Sequence, residues 1–202
     1  MRILLNDFLL KKRLHPLVLI CFLFFGNLCL PGQGGCTDKE KPLDFTLSAP
    51  KNADHKTYLG LTRDDRFSLG QIKAEIVIIE IFSMYCPVCQ REAANVNTLF
   101  DLIQNNRSLR EKVKLIGIGA GNSDFEVDFF KEKYTIKFPL FSDTDFSIHK
   151  KIGEVRTPHF FGLALKGDCE YTIFYSQSGE VSDPEKFLET LLKDSGLKNS
   201  HE

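Results

Sequence analysis

Two cysteines three residues apart, Cys86 and Cys89 in the stretch "FSMYCPVCQRE", are the residues of this chain best suited to chemistry. Such a pair serves one of three ends: dithiol–disulfide exchange, half of a soft-metal site, or a small structural bridge. A zinc site wants a second Cys/His pair, and the chain offers neither a further CxxC nor an HxxxH. A bridge closing four residues would constrain the unfolded chain very little. Redox chemistry is the expectation, with metal binding and a structural staple as the alternatives.

The flanking pattern shows how such a pair would be held. "EIVIIEIFS", Glu75 to Ser83, is a β-branched apolar run broken only by Glu80, the pattern of a central strand buried on both faces. From Pro87 to about Asn105 the periodicity is helical, with Val88, Ala93, Val96, Leu99, Phe100, Leu102 and Ile103 towards one side. Cys86 therefore falls where strand gives way to helix, beside unpaired N–H groups and the positive helix end that favour thiolate. Pro87 suits the first helical turn. Cys89 lies one turn deeper on the same face, placed to resolve a mixed disulfide.

The other elements alternate. A short strand near Phe45–Leu47 precedes "YLGLTRDDRFSLGQI", which suggests a strand, a charged turn and a short helix at Ser68–Ile72. Val113–Gly121 is a second buried strand, and Ser123 with Glu126 forms a capping box opening a helix to Tyr134. "FPLFSD" is a short strand, and Asp143–Ile152 a short helix. Strands at 159–165 and 170–176 form a hairpin around Lys166–Asp168, and Pro184–Ser195 closes the chain as an amphipathic helix. The order predicts an α/β fold with a mixed central sheet flanked by helices.

Lys11, Lys12 and Arg13 precede the apolar stretch Leu17–Leu30, a secretory signal pattern short for a membrane span. Residues 1–36 read as a cleaved signal, as a lipoprotein signal with Cys36 acylated, or as an uncleaved anchor. All three put the folded part outside the cytoplasm, in the periplasm or on the outer face of the cytoplasmic membrane. Residues 37–56 read as a tether plus the first strand, 57–196 as the main domain and 197–202 as a tail. The leader takes four of the 26 basic and one of the 27 acidic residues, leaving a net charge of about −4. That excludes an electrostatic footprint for nucleic acid or an anionic membrane surface, so membrane contact is expected only through the N-terminus. With Cys21, Cys29 and Cys36 in the leader, Cys86, Cys89 and Cys169 remain. A close pair plus one thiol is no disulfide framework. Trp is absent and Phe numbers 18, so Phe must supply most aromatic packing.

Glu80, Phe82 and "Cys86-Pro87-Val88-Cys89" after a buried strand, with Thr157-Pro158 some seventy residues on, resemble the thioredoxin superfamily. The "CQRE" continuation, the N-terminal extension and the insert near 123–152 are most similar to exported TlpA/ResA-type thiol-disulfide oxidoreductases. The resemblance implies a thioredoxin-like fold without cofactor or metal, Cys86 as attacker, Cys89 as resolver, and Glu80 as the buried acid that exchanges a proton with Cys89. Glu92 matches the acid this type carries on its first active-site helix. Pro158 is implied to be cis, with the Thr157 backbone left to pair with a substrate strand. Tyr85 stands where a Trp is usual and alters the substrate-facing surface. Val88 replaces the histidine that often stabilises the thiolate of strong oxidants, which points to a reductase. His159 is expected as a rim residue of its strand and Cys169 as a spare thiol.

The expected function is an exported reductase of protein disulfides, a monomer, fed by a membrane electron donor, with envelope proteins such as apocytochrome c as clients. A disulfide oxidant of the same fold is the rival within the class. A peroxidase is disfavoured because Ile79 and Ser83 occupy the places of the Pro and Thr expected ahead of a peroxidatic cysteine. From another class, a copper chaperone would use Cys86, Cys89 and His159 as soft ligands.

Overall fold

Strand β3 (Ile76–Phe82) is buried along its whole length in the computed structural model, which describes residues 43–167 and 170–197. Around it the sheet runs β5 (Leu140–Asp143), β4 (Val113–Ala120), β3, β6 (His159–Leu165), β7 (Tyr171–Ser178). The β3–β4 and β4–β5 pairs are parallel; β3–β6 and β6–β7 are antiparallel. A strand buried on both faces can be apolar throughout, which is why β3 and β4 show no alternation. Cys36 and Cys169 lie outside the described residues.

Two successive parallel crossovers put α2 (Pro87–Asn105) and α3 (Asp124–Lys133) on one face of the sheet. Helix α5 (Pro184–Ser195) joins them there, over Ile76, Ile78, Phe82 and Phe160. The opposite face, through Val77, Ile79, Ile81 and Phe161, meets a hairpin of β1 (Thr46–Ser48) and β2 (Arg66–Ser68), helix α1 (Ala53–Leu59) and helix α4 (Ser147–Lys151). Phenylalanine carries the aromatic packing as expected: Phe82 meets Phe130 at 4.7 Å, and Phe160 meets Phe187 at 5.2 Å. Val96, Leu99 and Ile103 of α2 are wholly buried at spacings of three and four, so this stripe seats the helix against β3 and β4. Each such side chain contributes about 1.5–3 kcal/mol by burial.

The N-terminal segment departs from expectation. Ala53–Leu59 is a helix, where the sequence suggests tether to Lys56 and strand from Tyr58. Asn52 caps it by accepting from the N–H groups of Asp54 and His55, and Gly60 ends it at φ 68°. Strand β5 pairs with β4 only from Gly117 onward, and the Tyr58 hydroxyl of this helix accepts the Leu115 N–H at 2.7 Å. Boundaries elsewhere shift by a few residues; α4 begins at Ser147 rather than Asp143 because Asp143 is buried and accepts the N–H groups of Ile148 and His149.

Candidate active site

Strand β3 ends at Phe82, and a three-residue turn delivers Cys86 to the N-cap of α2. The Cys86 N–H donates to the Ser83 carbonyl at 3.0 Å, closing that turn. The Met84 peptide at its centre is held on both sides. Its N–H donates to Asn122 Oδ1 at 2.8 Å, and its carbonyl accepts from Gln90 Nε2 at 2.7 Å. The Cys86 sulfur, half-buried, accepts the Cys89 N–H at 3.3 Å and lies 3.4 Å from the Thr157 carbonyl. Cys89 is fully buried, and both cysteines are free thiols.

The two sulfurs are pushed in opposite directions. Desolvation raises the Cys86 pKa, but hydrogen bonds from Cys89, Thr157 and the Val88 N–H outweigh it, and the net shift is downward. Desolvation first, then the bond to Cys86 and the nearby charge of Glu80, drive Cys89 well above the ordinary thiol range. Cys86 is the accessible, acidified sulfur and Cys89 the shielded one, as their positions on the helix suggest.

Glu80 lies mid-strand on the face that carries Ile78 and Phe82, the face on which Cys89 packs. It is 3 % exposed. Burial, then the charges of Glu92 and Cys86, lift its carboxyl to about 8. Such a group exchanges a proton near neutrality. Glu92 is also buried, inside the apolar stripe of α2, where it accepts the Val181 N–H at 2.6 Å and Asn95 Nδ2 at 3.5 Å. It ties the active-site helix to the segment entering α5.

Thr157-Pro158 is a cis peptide, and the bond stands beside Cys86 through the Thr157 carbonyl. His159 pairs in register with Ile81 and therefore faces away from Glu80 and Cys89. Both its ring nitrogens are occupied, Nδ1 by Ser178 Oγ at 2.7 Å and Nε2 by Ser176 Oγ at 3.0 Å. It is a satisfied interior residue of the opposite face rather than a rim residue. It does not complete a ligand set with the cysteines. Tyr85 is exposed, and its hydroxyl donates to Glu126.

Sequence reasoning singled out Cys86, Cys89, Glu80, Glu92, Thr157, Pro158 and Tyr85, and the fold gathers them at one end of the sheet. It did not name Asn122, Gln90 or Val181. Gln90 had a local signal, being on the first turns of α2 beside the turn it supports. Asn122 and Val181 had none, since their partners lie 38 and 89 residues away.

A thioredoxin-like sheet with this dithiol at the start of its first crossover helix defines the class: a thiol-disulfide oxidoreductase. Residues 41–183 match the AhpC/TSA family, and the chain belongs to it. It is similar to thiol-disulfide oxidoreductase ResA of Bacillus cereus, 24% identical over 171 residues, 84% of this chain and 92% of the relative. It is also similar to ResA of Geobacillus kaustophilus, 20% identical over 148 residues, 73% of this chain and 74% of that one. Among solved structures, StoA of Bacillus subtilis superposes with a TM-score of 0.52 at 20% identity, covering 75% of this chain and 98% of its own. A secreted disulfide oxidoreductase of Mycobacterium tuberculosis homologous to DsbE gives 0.52 at 16% identity, covering 75% and 97%. These likenesses establish the fold. No helix among the described residues is long and apolar enough to cross a membrane.

Proposed function

We propose that this chain is an exported reductase of protein disulfides working through the Cys86–Cys89 dithiol. The observation that carries the reading is the asymmetry of the pair: an accessible sulfur favouring thiolate, and a buried thiol beside a carboxyl that exchanges protons near neutrality. The Cys86 thiolate attacks a client disulfide; a Cys86–client S–S bond forms, the client S–S bond breaks, and the departing sulfur takes a proton. Cys89 then gives its proton to the Glu80 carboxylate and attacks the Cys86 sulfur. The Cys86–Cys89 bond forms, the mixed disulfide breaks, and the client leaves reduced by two electrons. The Thr157 backbone beside Cys86 pairs with the client strand.

Direction follows from charge. A strong oxidant owes its potential to a stabilised reduced form. Here the residues between the two cysteines, Pro87 and Val88, carry no charge that would stabilise the Cys86 thiolate further, which supports a reductase. His159, directly after Pro158, lies on the other face of the sheet. The apolar, basic-flanked leader supports export, by cleavage, acylation at Cys36 or anchoring. Outside the cytoplasm, a membrane electron donor recharges the oxidised pair, and the clients are disulfide-bearing envelope proteins, apocytochrome c among them.

The test is trapping. Full-length Cys89→Ser, mixed with a disulfide-bearing peptide, accumulates a mixed disulfide that mass spectrometry maps to Cys86. Attachment elsewhere, or none, refutes the assignment of roles.

A further inference from the structure

The segment 154–158, which brings Thr157 to the Cys86 sulfur, belongs to no helix or strand. Its carbonyls are held from neighbouring elements instead. His149 Nε2 donates to the Val155 carbonyl at 2.9 Å and the Ser178 hydroxyl to that of Arg156 at 3.1 Å. The Gly179 N–H donates to the Pro158 carbonyl at 3.0 Å. The last two bonds come from the end of β7 and grip the residues on either side of Thr157. Thr157 itself is turned to the sulfur, which lies 3.4 Å from its carbonyl and is drawn towards thiolate in part by a Thr157 hydrogen bond.

Ser178 is exposed, where a hydroxyl is free to turn to water, and His159 prevents this. The two residues pair in register across β6 and β7, with Nδ1 2.7 Å from the Ser178 Oγ. The Ser178 proton is committed to the Arg156 carbonyl, so its oxygen accepts and Nδ1 carries the ring proton. Burial lowers the His159 pKa and keeps the ring neutral at neutral pH, so Nε2 accepts the Ser176 hydroxyl at 3.0 Å. Ser176, His159, Ser178 and Arg156 thus form one directional chain, each group donating to the next. A polar ring at this place calls for a reason. His159 is 6 % exposed, on the face that carries Ile79, Ile81 and Phe161, where a β-branched side chain would leave no polar group to satisfy.

We propose that His159 and Ser178 are positioning residues for the attacking cysteine: the chain from the ring through the hydroxyl to the Arg156 carbonyl fixes the Thr157 peptide against the Cys86 sulfur. The proposal rests on the oxidoreductase reading, which makes Cys86 the attacker, and deepens it with two residues that act only through Thr157. Once Ser178 is loose the Thr157 peptide drifts, the sulfur loses one of the bonds that favour its anion, and Cys86 becomes a weaker acid.

The test is the pH dependence of iodoacetamide alkylation of the reduced full-length chain, with Cys86 followed by mass spectrometry. His159→Asn places an amide N–H where Nδ1 stands, whereas His159→Gln reaches only to the place of Nε2. The first should keep the midpoint near that of the wild type. The second should raise it by about half a pH unit, which below the midpoint makes the reaction about threefold slower. Ser178→Ala should shift it as far, and adding His159→Gln to Ser178→Ala should shift it no further, since both act on one chain. Ser178 is exposed, so its variant carries the test should the His159 variants misfold. In the shifted variants the Cys86–Cys89 potential should become more negative, because the reduced form loses stabilisation. Midpoints equal throughout, equal shifts for His159→Asn and His159→Gln, or additive shifts in the double variant overturn the proposal. A wild-type pair that forms no reversible disulfide would instead refute the oxidoreductase reading, while the alkylation midpoints still decide the positioning role.

Discussion

Replacing Glu80 with Gln removes a buried titratable group while nearly preserving its shape. Because the folded carboxyl sits near 8 rather than 4.5, the native state holds a proton that the unfolded chain releases. Stability therefore falls as pH rises from about 4.5 to about 8, then levels off. The gap corresponds to at most about 5 kcal/mol, a ceiling because the carboxyl is coupled to Glu92 and the interior relaxes. Urea unfolding of the reduced protein from pH 5 to pH 9 measures it. The wild type should lose stability across that window, whereas Glu80→Gln should be nearly flat in its place and more stable at pH 8. In the same variant, release of a client from the mixed disulfide should slow about a hundredfold at neutral pH, the scale of losing a general base. A wild-type profile that rises with pH through this window, or release kinetics that ignore the substitution, would refute the assignment of Glu80 as a buried proton carrier.

Two further outcomes follow from the contacts around the site. Glu92→Ala leaves the buried Val181 N–H without its acceptor and should cost about 1–3 kcal/mol in denaturant unfolding. It should also lower the pH of the Glu80 transition, because the Glu92 charge helps hold that carboxyl up. Asn122→Ala frees the Met84 N–H and loosens the turn that presents Cys86. Its expected signature is an upward shift in the pH midpoint of Cys86 alkylation, which a purely structural role for Asn122 would leave in place.

What could be read in advance was local. Pro87 at the start of α2 and the apolar periodicity of α2 and α5 each act within a turn or two, and both helices fall where expected. The β-branched runs of β3 and β4 announce burial on two faces because no polar alternation interrupts them. The dithiol, Pro158 and Glu80 were legible as a spaced set. Helix α1 was not, because it buries only Leu59 and its polar remainder looks like linker; Asn52 was its cap, not a tether residue. Glu92 reads from sequence equally well as an exposed helical glutamate. Its burial depends on Val181, 89 residues on, which no local pattern connects to it. His159 likewise gets its surroundings from serines on β7 that become neighbours only when the hairpin forms.

The reduction potential of the Cys86–Cys89 couple tests the central claim most directly, measured on the full-length chain against thiol buffers. Thioredoxin lies near about −270 mV and the oxidant DsbA near about −120 mV. With only Pro87 and Val88 between the cysteines and so no cation there to stabilise the reduced thiolate, a value below roughly −220 mV is expected. A value above roughly −150 mV would contradict the reductase and make this chain a disulfide donor.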